Sequence, residues 1–166
     1  MPNRLITAAF AALSLAAAPA LTAPPVGFPP PPPKVSPAQG AIDFHVHSEP
    51  DVFGRSMDDI DVAVLAKRKG IRGLVLKNHV TMTADRAALV MKVVPGIEIF
   101  GGIVLNNAVG GINPAAVEWM HRMSGGRGKV VWLPTFDSDK HIKTLVDPKG
   151  SGIVVAPNGV VTPQLE

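Results

Sequence analysis

Cysteine is absent from the 166 residues. No disulfide can staple the chain, and any metal has to be held by nitrogen and oxygen ligands, so zinc-finger and thiol chemistry are excluded. Charge of either sign is scarce: sixteen Lys and Arg stand against thirteen Asp and Glu. The basic residues are dispersed instead of forming a stripe, which leaves no footprint for a nucleic-acid partner. No G-x-G-x-x-G follows the first strand candidate, so nothing points to a dinucleotide fold. Long apolar runs are missing as well, apart from one near the start of the chain.

That run, Leu5 to Ala18 behind Arg4, is short for a bilayer span and has the length of a signal-peptide core. Ala18-Pro19-Ala20 supplies the small-x-small cleavage pattern. Residues 1–20 are therefore expected to be a signal peptide, the mature chain to begin at Leu21, and the protein to be periplasmic or secreted without a stable membrane span. Residues 21–40 form a linker, since Pro24 to Pro37 holds eight prolines and reads as an extended tether. About 125 residues remain, 41–166, which is the size of one domain.

Within that domain Ala41–Val46 alternates as a strand, with Ile42, Phe44 and Val46 on one face and Asp43, His45 and His47 on the other. Ser56 and Asp59 predict a capping box for a helix over Met57–Lys69, ended by Gly70. Lys67-Arg68-Lys69 suits the carboxyl end of that helix. Ile71–Lys77 reads as a buried strand, and Thr83 as the cap of a helix from Ala84 to about Val94, closed by Pro95-Gly96. Ile97–Leu105 is a third strand. Asn113-Pro114 opens a third helix running to about Met123, and Lys129–Leu133 is a fourth strand. Ser138 is expected to cap a short helix through Val146, and Gly152–Ala156 with Val160–Thr162 to form a hairpin turning at Pro157-Asn158-Gly159. The Gly101-Gly102 and Gly110-Gly111 pairs read as tight turns.

Strands alternating with helices at roughly thirty-residue intervals predict βαβ units and a parallel sheet. The fold class is α/β, a partial (β/α) TIM-like barrel of about four units. A complete barrel needs about 250 residues, so the chain is expected to carry the amino-terminal part of one.

His45 and His47 lie one residue apart at a strand end, so both imidazoles fall on one side and can share a cation. His79 follows the second strand in the equivalent place. In parallel barrels such strand ends form the active-site face. Asp43 is placed to orient a ligand imidazole, Lys77 to bind substrate or serve structurally, and Asn106, Asp137 and His141 to meet substrate near later strand ends. His121 reads as a surface residue.

The runs Ile42-Asp43-Phe44-His45-Val46-His47-Ser48, Gly73-Leu74-Val75-Leu76-Lys77-Asn78-His79 and Pro95-Gly96-Ile97-Glu98-Ile99 resemble, in order and spacing, the first three motifs of polymerase-and-histidinol-phosphatase (PHP) domains. With Phe100-Gly101-Gly102-Ile103-Val104-Leu105-Asn106 and Val131-Trp132-Leu133-Pro134-Thr135 added, the chain is similar to a little-characterised family of amidohydrolase-like proteins from Ile42 to its terminus. The resemblance implies a metal-dependent hydrolase on a seven- or eight-stranded barrel, with His45, His47, His79 and Glu98 as ligands of zinc, manganese or iron. The chain departs from the PHP pattern at Asn78, where that pattern has aspartate. The later histidine and aspartate ligands of both superfamilies have no counterpart before Glu166.

The expected function is hydrolysis of an amide, lactone or phosphoester in a small-molecule substrate by metal-activated water. Against it stands a non-catalytic, truncated metal-binding or partner-binding fragment. A homo-oligomer that completes the barrel is a further expectation.

Overall fold

The computed structural model describes residues 35–155; the expected signal peptide, residues 21–34 of the linker and the 160–162 arm of the hairpin lie outside them. Four strands, β1 (Ile42–Val46), β2 (Gly73–Leu76), β3 (Glu98–Val104) and β4 (Gly128–Trp132), alternate with the helices α1 (Asp59–Arg68), α2 (Ala84–Val93) and α3 (Pro114–Arg122). They pair in chain order, all parallel, as one sheet β1-β2-β3-β4. This is the α/β arrangement expected of a partial (β/α) barrel. Among the described residues no helix is long and apolar enough to cross a membrane.

Alternation along the strands divides the two faces. Val46, Leu74, Leu76, Ile97 and Ile99 turn towards α1 and α2 and pack with Ala63, Ala66, Ala87 and Val90 in the main core. A second cluster joins Ile103 and Leu105 to Met120 of α3. Small residues line the buried sides of α1 and α2, so the helices come down close to the sheet. The Gly101-Gly102 pair makes no turn, contrary to its sequence reading. It lies inside β3, where both faces are crowded: a Cβ on Gly101 would stand 2.3 Å from the Thr83 carbonyl oxygen, and one on Gly102 would stand 2.4 Å from Trp132 Cζ3. Gly110 and Gly111 do turn the chain, with φ of 89° and 67°.

Two helix caps also differ from expectation. Asp58, not Ser56, caps α1, its carboxylate accepting from the backbone N–H groups of Ile60 and Asp61. Asp59 is turned inward instead. Its carboxylate accepts from Ser48 Oγ at 2.6 Å and from Arg86 Nε at 2.7 Å, while Arg86 also donates to the Ser48 and Pro50 carbonyls. Thr83 stands at the head of α2 but makes no cap bond. Its hydroxyl donates to the Leu76 carbonyl and accepts from Gly102 N–H, bridging β2 and β3. Asn113 caps α3 through Ala116 N–H as expected. Ser138 caps the short turn Asp139–His141, which continues as a wide turn over Ile142–Val146. Ile153, in the first expected hairpin arm, makes an isolated parallel bridge to Ser138.

Candidate metal centre

Because the strands are all parallel, their carboxyl ends deliver side chains to one edge of the sheet. β1 delivers His45 and His47, β2 delivers Lys77 and His79, β3 delivers Asn106, and β4 delivers Trp132 and Thr135. The Nε2 atoms of His45 and His47 stand 3.1 Å apart. Lys77 Nζ lies 3.2 Å from His45 Nε2 and 5.2 Å from the centre of the Trp132 ring. The missing side chain of Gly102 is what lets that ring lie across β3. His79 stacks on His47, with ring centres 4.7 Å apart and planes 22° apart. Its Nδ1 pairs with Thr135 Oγ1 at 2.9 Å, so Nε2 is the nitrogen it can offer to a cation.

A second layer fixes these groups. Asn106 is fully buried and binds three partners: its Nδ2 donates to the His79 carbonyl and to Thr135 Oγ1, and its Oδ1 accepts from Thr135 N–H. It therefore positions His79 and Thr135, whereas the sequence had suggested a residue that meets substrate; its side chain is buried behind them. Arg86 and Asp59 hold the chain just after the H-x-H strand from below. In front, Arg55 donates to Asp51 at 2.8 Å and lies 3.4 Å from His47 Nδ1.

The electrostatics of the cluster follow from its crowding with bases. Burial, then the neighbouring His79, Arg55, His45 and Lys77, pushes His47 down from 6.5 to about 4. His79 and His45 are lowered too, by burial first and then by Lys77. Burial alone lowers Lys77, which is 4% exposed. Burial pushes Asp51 up, yet the hydrogen bonds from Arg55, Phe53 N–H and Val52 N–H outweigh it and hold the carboxyl below its ordinary range. At neutral pH the three imidazoles are accordingly uncharged and keep a lone pair each, the form a metal ligand requires.

Two expected site residues are not part of this cluster. Glu98 opens β3 and pairs in register with Gly73, the first residue of β2; with a rise of about 3.3 Å per residue it lies roughly 20 Å from the carboxyl end of its strand. It is bound to Arg72 at 2.9 Å, and both side chains are substantially exposed. Asp43 shares the face of His45, and its Oδ1 accepts from the His45 backbone N–H at 2.9 Å; no hydrogen bond joins its carboxylate to an imidazole among the described residues. Asp137 accepts from Asn107 N–H. His141 lines a cleft of about 780 Å³ next to the cluster, together with Phe53, Arg55, His79, Thr135 and Phe136. Among the described residues, no group of three or more His, Asp or Glu side chains has the arrangement of a complete metal site.

Sequence reasoning missed Arg55, Phe53, Trp132, Thr135 and Phe136. Thr135 and Trp132 had a signal, since they close β4 as Lys77 and His79 close β2. Phe53 and Arg55 arrive on the loop after β1 and had none.

No curated protein and no solved structure matches the chain. Over residues 40–166 it matches the model of a family of unknown function, DUF6282, and it belongs to that family.

Proposed function

We propose that this chain is a metal-dependent hydrolase of the amidohydrolase-like or PHP-like kind, in which His45 and His47 share one divalent cation. The observation that supports this reading is the convergence of the two Nε2 atoms at 3.1 Å. Two nitrogens about 2.1 Å from one cation, at angles between octahedral and tetrahedral, stand about 3.0–3.4 Å from each other. The donor chemistry agrees, because neutral imidazoles suit zinc, manganese and iron. For His47 to offer Nε2, its proton has to sit on Nδ1, and Arg55 has to turn from that atom towards Asp51. His79 is the third nitrogen donor at the same edge. Thr135 and Asn106 fix its orientation, as outer partners of ligand histidines do.

A divalent cation held there with open positions would activate water as the nucleophile, at a pKa of about 7 where the cation is zinc, and would polarise a carbonyl or phosphoryl oxygen. The chain's own residues do the rest. Lys77, desolvated and beside His45, takes the substrate oxygen or the developing negative charge, while Phe53 and Phe136 line the cleft on the His79 side. An amide, a lactone and a phosphoester all fit this chemistry. Export is part of the proposal and rests on Arg4 and the apolar run that follows it. A second reading, binding of metal or a partner without turnover, is favoured by the incomplete ligand set among the described residues.

The test is elemental analysis of the purified chain, followed by hydrolysis assays after restoring zinc, manganese or iron. Stoichiometric metal and turnover, both lost in the His45→Ala/His47→Ala variant, are expected. Metal without turnover selects the second reading. Absence of metal from the unaltered chain overturns the hydrolase reading and leaves, of the second, only binding of a partner.

A further inference from the structure

We infer that the cleft beside His79 is built for a small aromatic carboxylate. The inference rests on the carboxyl edge of the sheet being the working site, and it adds the class of molecule that site receives.

The first ground is the shape of the walls. The rings of Phe53, Phe136 and His79 meet pairwise at 6.1, 6.3 and 4.9 Å between centres, with interplanar angles of 80°, 86° and 52°. Three rings in mutual contact make one continuous aromatic wall of the cleft, on which a flat ring gains stacked or edge-to-face contacts. A saturated ring gains no such contacts from that wall.

The second ground is charge. Arg55, Lys140 and His141 line the cleft, and no carboxylate does. Asp137 and Asp139 flank this stretch of chain, but each is engaged elsewhere: Asp137 accepts from Asn107 N–H, and Asp139 binds Lys143 at 3.0 Å. Arg55 is answered by Asp51. Lys140 makes no ion pair among the described residues, so it brings its charge to the rim without a protein counter-ion. A ligand carboxylate meets that ammonium while the ring enters towards His79, which brings its substituents to the edge where Lys77 and the histidine pair stand.

The test uses the full chain stripped of metal with EDTA, so that binding is read independently of the cation. Benzoate, benzamide and cyclohexanecarboxylate are titrated separately by calorimetry, and ligand-observed NMR follows the weaker ones. Benzoate should bind about tenfold tighter than benzamide, from loss of a charge-assisted hydrogen bond, and about fivefold tighter than cyclohexanecarboxylate, from loss of ring contacts. Lys140→Ala, on an exposed residue that should leave folding intact, should erase the preference over benzamide. Phe136→Leu should erase the preference over the saturated acid. Failure of benzoate to bind, or equal binding of the three probes, overturns the inference, as does a benzoate affinity that neither substitution changes. Failure of the metal reading alone leaves these results untouched, since no cation is present in the titration.

Discussion

The two edges of the sheet use charged residues in opposite ways. At the amino edge Arg72 and Glu98 face each other in solvent, and little depends on them. At the carboxyl edge Lys77, His45, His47 and His79 are packed together, with Asn106 and Thr135 bonded behind them and Arg86–Asp59 underneath. The first arrangement is a surface ion pair of the kind worth about 0–1 kcal/mol. The second uses the burial of Lys77 and the partial burial of His47 and His79 to keep bases uncharged and in place. A strand that runs through both edges, such as β3, therefore carries a dispensable end and an end that organises the site.

The largest test of this contrast is Arg86→Ala. It leaves the Asp59 carboxylate buried with Ser48 alone and frees the loop after the histidine strand; we expect a loss of about 3–5 kcal/mol, read from urea unfolding. A loss below 1 kcal/mol would show that this support is idle. Next is Gly102→Ala, whose new Cβ meets the Val130 carbonyl oxygen and Trp132 at 2.4 Å. Overpacking of this kind costs about 1–3 kcal/mol, and the Trp132 emission should change as the ring leaves Lys77.

Acidity gives a smaller, graded effect in metal-free protein. His47 is held at about 4 against an ordinary 6.5, and His45 and His79 are lowered in the same direction. Between those values the unfolded chain binds more protons than the folded one, so stability is full above about 6.5 and declines as pH falls towards 4. His47→Gln should flatten the profile of unfolding midpoint against pH. A profile equally steep in the variant would assign the effect to other groups. The smallest effect belongs to the other edge: Glu98→Ala should change stability by less than about 1 kcal/mol.

Much of the sheet was legible in the sequence because it depends on local periodicity. Val-, Ile- and Leu-rich runs between Gly, Pro and Asn boundaries gave four strands and three helices close to their observed limits. What escaped depends on contacts distant in the chain. Asp59 looked like half of a capping box, but Arg86, in the next helix, claims it. Thr83 looked like a cap, but its hydroxyl is drawn between two strands. Glu98 looked like a ligand by its motif, and only the strand register reveals that it sits at the far edge. His45, His47, Lys77 and His79 were found because strand-end position can be counted from the sequence. Trp132 reaches Lys77 only across Gly102, a contact that no count along one strand discloses.

The claim that the carboxyl edge is a metal centre built on the H-x-H pair is tested most directly by titrating zinc into the EDTA-stripped chain, beside His47→Ala and Glu98→Ala. The account predicts one zinc per chain, bound at least about a hundredfold more weakly in His47→Ala, beyond the range seen for outer-partner losses, and unchanged in Glu98→Ala. Zinc binding that survives His47→Ala but fails in Glu98→Ala would contradict it.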